Sequence, residues 1–386
     1  MSALPYVHAA HRLHEYLMAR HWDGKALRGP DPGIRLNYRV GRFIKSALPH
    51  LPWKDDYYYL QAQGYWVVGN WLLFAHTADE RYRRIAIACS QTMLEQQRPD
   101  GSWIYPNPEW RGRIATVEGT WASIGLLETY RQTRDPVFLE GVLRWYQYVT
   151  EEIGFQQIGA ELAVNYFAHL NTSRVPNNSI LMLRFLAELA DVTANDEFLT
   201  HCPGLITFLQ RAQKPTGEFP YAVSGAVKRD DRPHFQCYQY NAFECLDLIR
   251  YHELTGDSSV LPMVAGLLRF LRGGLAHDGH ALYQCGNRYH AVVYHSAVLA
   301  AACIRGDRLG FEHCASTALR ACQYVLSQQK PDGGFPYSRG NYRFLRDNRS
   351  YPRYLAMILV HLLHFVPPRT PRSSAQITQE AYTKPL

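Results

Sequence analysis

The chain has 386 residues, a formal charge of +7 and 47% hydrophobic residues, which is apolar content enough for a large core. Its lysines and arginines form no long basic block, which disfavours nucleic-acid binding and leaves a local anionic ligand as the expected use of the charge. No run approaches about 18 apolar residues, so no membrane span is predicted, and Met1 to Arg20 lacks the uninterrupted apolar core of a signal peptide, so a cytoplasmic location is expected.

In chain order, the pattern starts with an amphipathic helix over 4–20. Two kinds of helical pattern then alternate. One set (57–75, 115–131, 176–190, 237–255, 290–305 and 350–365) is apolar around most of its circumference, as in Ile180-Leu181-Met182-Leu183. Such helices are enclosed by others. The other set (80–98, 136–151, 196–213, 258–273 and 308–328) keeps a polar face and belongs on the outside. Turns from inner to outer helices are short, as at Thr255-Gly256-Asp257. Connections from outer to inner helices are long: 21–56, 99–114, 152–175, 214–236, 274–289 and 329–349.

Three of those long connections open on one motif, Gln97-Arg98-Pro99-Asp100-Gly101-Ser102-Trp103, Gln213-Lys214-Pro215-Thr216-Gly217-Glu218-Phe219 and Gln329-Lys330-Pro331-Asp332-Gly333-Gly334-Phe335. Successive copies, from 97 to 213 and from 213 to 329, are 116 residues apart both times. A fixed period is the signature of a repeat architecture. Inner helices start near 57, 115, 176, 237, 290 and 350, so one period spans two hairpins, and the helix at 4–20 completes six. Six hairpins close into an all-α (α/α)6 toroid, a single domain over 1–366, with residues 367–386 reading as a disordered tail. All six long loops then share one rim with the N-termini of the inner helices, which is where function is expected.

The pattern Gln-x-x-x-Gly-x-aromatic resembles the QW motif of terpenoid cyclases and the glycine-aromatic repeats of protein prenyltransferases. The third copy matches most fully, with Arg320-Ala321 and Tyr324-Val325 ahead of Gln329. In those families the motif is structural, with the Gln closing an outer helix and the aromatic packing over the turn. The chemistry departs from them: no Asp-x-Asp-Asp occurs, its nearest counterparts being Asp55-Asp56 and Asp230-Asp231, and an Asp-x-Cys pair is missing. Residues 229–245, with Tyr251-His252-Glu253 after them, resemble the toroid portion of glucuronyl 5-epimerases and bacterial polysaccharide-biosynthesis proteins.

Site candidates come from the rim. On the fourth inner helix Tyr238 and Asn241 share a face with Cys245, beside Tyr240, and His234 precedes them. His290 and Tyr294 stand one turn apart at the start of the fifth. Glu118 opens the second, where a carboxylate also suits the helix dipole. The sixth loop is cationic, with Arg339, Arg343, Arg346, Arg349 and Arg353 among Tyr337, Tyr342, Tyr351 and Tyr354. Guanidinium groups beside a helix N-terminus suit a carboxylate or a phosphate. Asp56 and Arg113 add rim charge, and Trp103 is placed to stack on a sugar ring or to seal a loop.

The expected function is epimerase- or lyase-type proton transfer on an acidic, uronate-containing saccharide. Arg346 and Arg349 would neutralise its carboxylate, Tyr238, His234 or His290 would move the proton, and Tyr351, Tyr240 and Asn241 would hold the sugar. Isoprenoid cyclisation or transfer, or a catalytically silent glycan-binding toroid, are the alternatives. No metal or organic cofactor is expected, since the eight cysteines form no CxxC pair and most sit in apolar helical patterns. The oligomeric state is not legible in the sequence.

Overall fold

The computed structural model describes residues 4–32, 40–48, 51, 53, 55–105, 112–169, 173–224, 228–229, 237–283, 285, 291–338 and 346–366. The candidates His234 and His290, and the tail beyond 366, lie outside the described residues.

Thirteen helices are present among the described residues. Six form the inner ring: α3 (Leu60–Thr77), α5 (Thr116–Thr133), α7 (Pro176–Thr193), α9 (Cys237–Thr255), α11 (Val293–Arg308) and α13 (Pro352–Leu363). Each packs on the next, and α13 packs on α3, so the ring closes. The outer layer is α1 (Leu4–Arg20), α4 (Glu80–Glu95), α6 (Pro136–Tyr148), α8 (Cys202–Ala212), α10 (Leu261–Arg272) and α12 (Cys314–Ser327). Pairing within hairpins runs from inner to outer helix, and α1 packs against α13, so the first helix of the chain is the outer partner of the last inner one. The predicted all-α toroid of six hairpins is the observed fold.

The rim loops carry more structure than their sequence suggests. A short helix, α2 (Val40–Ala47), lies in the first. The third holds an antiparallel hairpin, β1 (Phe155–Ile158) with β2 (Glu161–Val164), in which Phe155 pairs with Val164. A two-residue ladder, β3 (Val223–Ser224) with β4 (Lys228–Arg229), lies in the fourth.

The 116-residue motif joins neighbouring outer helices. Gln97 Nε2 donates to the carbonyl of Gly101 in its own turn at 2.9 Å and to that of Gly141 on α6 at 2.8 Å. Gln213 bridges Gly217 and Met263 of α10 in the same way, and Gln329 bridges Gly333 and Ala9 of α1. The glycine is obligatory: Gly217 has φ +106°, and a Cβ there would lie 2.1 Å from the carbonyl oxygen of Gly266. Each motif aromatic is buried.

A second repeat closes the opposite face. Thr77-Ala78-Asp79, Thr133-Arg134-Asp135, Thr193-Ala194-Asn195 and Thr255-Gly256-Asp257 each place the middle residue at positive φ, and the Asp or Asn side chain accepts from the backbone N–H two residues on. A left-handed cap followed at once by an Asx N-cap turns the chain in two residues. These turns are short because each satisfies the ends of two helices together.

Candidate active site

On the long-loop side the toroid axis holds a cavity of about 280 Å³, lined by the first turns of all six inner helices. The helices deliver their polar groups at a common offset: Gln61 is the second residue of α3, Glu118 the third of α5, Asn177 the second of α7, Gln239 the third of α9, Tyr294 the second of α11 and Arg353 the second of α13. Loops roof it with Tyr105, Tyr166, Tyr221 and Tyr337. Eight lining residues are tyrosines, which places many of the chain's hydroxyls on a polar wall with their rings in the core.

Glu118 is the central acid. Its carboxylate accepts from the backbone N–H of Gln61 at 3.0 Å, so it caps the neighbouring helix α3. Close approach of α5 and α3 makes this possible, because a Cβ on Gly64 would lie 2.2 Å from the carbonyl oxygen of Trp121. Burial pushes the Glu118 carboxyl up to about 7, against the opposing pull of the Arg353 guanidinium and the α3 N–H groups. A carboxyl held there is ionised in about half of the molecules near neutrality.

Arg353 carries the cation of this wall. Its Nε stands 2.8 Å from Asp31, and its Nη2 donates to Asp31 at 2.9 Å and to the Tyr354 hydroxyl at 2.8 Å. Nη1 takes part in neither contact. Tyr354 stacks on Tyr294 with ring centroids 4.2 Å apart. Burial raises the phenols of Tyr166, Tyr240, Tyr294 and Tyr354, so these groups stay protonated and act as donors. The floor is Tyr65 stacked on Trp121 at 3.9 Å, together with Phe243 and Met357. Asp247 also reaches the floor, held by Arg184 at 2.8 Å.

Six of the residues named from the sequence, Glu118, Tyr240, Tyr294, Tyr337, Arg353 and Tyr354, line this cavity. Tyr238 does not. Its ring stacks on Phe270 of α10 at 4.7 Å, in the seam between inner and outer layers. Asn241 clamps the second repeat turn, accepting from Phe219 N–H at 2.6 Å. Trp103 is buried and donates to the Met93 carbonyl at 2.9 Å, so it seals the turn and offers no face to a sugar. Arg349 pairs with Asp55 at 3.3 Å and Asp347 at 3.7 Å, and the Tyr351 hydroxyl donates to Asp347 at 2.6 Å, a rim network away from the cavity. Arg346 is exposed on the rim, as is Asp56, 4.0 Å from Arg28. Arg113 sits exposed beside the Phe167 ring.

Sequence reasoning missed Gln61, Asn177, Gln239 and Asp31, and it named Arg353 only as one rim arginine among five. A readable signal existed: a polar residue at the second to fourth position of every otherwise apolar inner helix.

No protein-family model matches the sequence, and no curated protein matches it. Solved structures do. Cellobiose 2-epimerase from Bacillus thermoamylovorans superposes with a TM-score of 0.72 at 14% identity, covering 94% of this chain and 99% of that one. A D-mannose isomerase gives 0.70 at 11% identity over 94% and 98%. A possible member of the GH105 family from Salmonella enterica serovar Paratyphi A gives 0.68 at 14% identity over 95% and 94%. The chain is therefore an α/α toroid whose polar cavity opens among the inner-helix N-termini. The terpenoid-cyclase likeness suggested by the repeat finds no support among these neighbours.

Proposed function

We propose that the protein is a carbohydrate-processing enzyme that moves a proton at a sugar carbon, with Glu118 as the proton carrier. One observation carries the reading: a buried carboxyl held near pH 7 at the wall of a tyrosine-lined cavity. A base works best when its pKa lies near the working pH, and Glu118 meets that condition while the tyrosines, held protonated, supply acids. In a ring of six, α5 and α11 stand opposite each other, so Tyr294 can deliver a proton from the face opposite to Glu118. Abstraction on one face and return on the other is epimerisation; donation to a departing oxygen is elimination. Arg353 would offset negative charge developing on the intermediate.

A uronate-containing substrate is supported by the Nη1 edge of Arg353, which replaces Arg346 and Arg349 as the expected carboxylate partner. A neutral-sugar epimerase or isomerase is the second reading, favoured by Asp31, whose carboxylate already offsets the Arg353 charge. The epimerase and isomerase named above support the neutral reading by their descriptions; a structural neighbour described as a polysaccharide lyase supports the other.

Incubation in deuterated water with cellobiose, mannose and uronate oligosaccharides tests both. The expected result is deuterium at one sugar carbon, or an unsaturated uronate seen by its ultraviolet absorbance, with loss of at least 100-fold in rate for Glu118→Gln. Neither exchange nor elimination with any of these saccharides, or full activity in Glu118→Gln, would overturn the proposal.

A further inference from the structure

The fifth rim loop brings together two thiols that the reaction proposed above leaves unused. Cys237 is the first residue of α9, and Cys285 lies in the loop between α10 and α11. Their sulfurs stand 2.7 Å apart, and the Cys285 N–H donates to Cys237 Sγ at 2.9 Å. The loop is held just before that point as well. Leu282 N–H donates to the Gly274 carbonyl at 2.8 Å, Ala281 N–H donates to Ser296 Oγ on α11 at 2.9 Å, and the Tyr283 ring stacks on His295 at 5.5 Å. Cys285 follows this anchored turn by two residues, so the approach of the two sulfurs is imposed by the fold.

The two thiols differ in access and in acidity. All eight cysteines lie among the described residues; seven are buried, and Cys285 alone is half-buried. The hydrogen bond from Cys237 draws the Cys285 thiol below its ordinary value, and the same bond, with burial, pushes Cys237 up. A thiolate is the nucleophile in exchange with disulfides, so the reachable Cys285 reacts first. Cys237 is wholly buried, yet it needs no route to solvent, because the sulfur it would attack is already in contact.

We propose that Cys237 and Cys285 form an oxidisable dithiol, a modification site that closes to a disulfide by exchange with a small-molecule disulfide such as oxidised glutathione. The Cys285 thiolate attacks one sulfur of the oxidant, breaking its S–S bond, and one glutathione leaves as thiolate and takes up a proton. Cys237 sulfur then attacks Cys285 sulfur, and the second glutathione departs with the Cys237 proton. Two protein thiols are oxidised by two electrons and one glutathione disulfide is reduced to two thiols. The sulfurs must close by about 0.7 Å to reach the length of a disulfide. The link joins positions 48 residues apart, so it encloses the hairpin of α9 and α10 in a covalent ring. It also ties the fifth rim loop to the start of α9, two residues before Gln239 of the cavity wall.

Incubation of the reduced full chain with glutathione disulfide tests it, read by mass spectrometry of peptides after free thiols are blocked and by thermal unfolding. The expected result is a peptide pair linked through Cys237 and Cys285, with the other cysteines unmodified. The unfolding midpoint should rise by at least about 2 °C, because the cross-link restricts the unfolded chain. Dithiothreitol should reverse both changes, and Cys285→Ser should abolish both. The link itself is read on the wild type, so the test does not depend on the variant folding. Glutathione retained on Cys285 without a link, no reaction of either thiol, a link that forms only in urea, or a link that lowers the midpoint overturns the proposal. No saccharide enters this experiment, so it fails separately from the reaction assigned to Glu118.

Discussion

Glu118 shows how position changes what a residue type does. A glutamate near a helix start is ordinary, and in this chain it caps a neighbouring helix while standing in a low-dielectric wall. Its proton is bound more tightly in the folded protein than in the unfolded chain, from about 7 against 4.5. The stability it contributes is therefore complete below pH 4.5 and is lost as pH rises through 7. Glu118→Gln keeps the acceptor for Gln61 N–H and removes the charge. It should leave stability unchanged at pH 4 and raise it by about 3 kcal/mol at pH 8, measured by denaturant titration at the two values. Tyr238 and Tyr240 make the complementary point. Two residues along a helix turn by roughly 200°, so one meets the outer layer and the other the axis. Periodicity groups Tyr238 with Asn241 and Cys245 correctly, but it says nothing of which face looks inward.

The two turn families do different work at the level of elements. The Gln-Gly-aromatic turns tie outer helix to outer helix around the circumference, and the Thr-x-Asp/Asn turns reverse the chain within a hairpin. Gly217→Ala must place a side chain against the Gly266 carbonyl at a φ that disfavours it, and a loss of at least about 2 kcal/mol is expected. Ala194 is the converse, a non-glycine residue at φ +52°, and Ala194→Gly should gain about 0.5 to 1 kcal/mol. Thermal unfolding of the two variants beside the wild type checks the pair. The Gln motif is legible along the chain as a period. Its second hydrogen bond, from Gln213 to Met263 or from Gln329 to Ala9, is not, because the acceptor lies 50 residues onward or at the far end of the chain.

Across the whole molecule, burial holds at least four imidazoles neutral: His14 and His21 are pushed down to about 4, and His295 and His361 to about 3. Each binds its proton more readily unfolded, so the stability they contribute is present above pH 6.5 and is lost as pH falls toward their folded values. Glu118 acts in the opposite sense between 4.5 and 7, as do Glu244 and Asp247, which burial also raises, while His364 joins the imidazoles. Net stability is expected to fall by about 2 to 4 kcal/mol between pH 6 and 5, a slope that chemical denaturation at closely spaced pH values would measure. Ring closure adds a second global property. Because α1 is the outer partner of α13, the two ends of the chain hold one another, and His14 on α1 reaches Asn70 on α3 at 2.9 Å.

By itself the sequence determined the helical class, the six-hairpin count, the rim that would carry the loops, and Glu118, Tyr240 and Tyr294 as rim residues. These follow from period and local pattern, which are written along the chain. Only the tertiary structure decided which helix faces meet the axis, and that Arg349 would be taken up by Asp55 and Asp347 while Arg353 reaches the cavity. The reason is physical. A pore is made by six helices at once, and its lining depends on the rotation each adopts to pack on its two neighbours. Partners such as Asp31 and Arg353, 322 residues apart, meet only when the ring has closed.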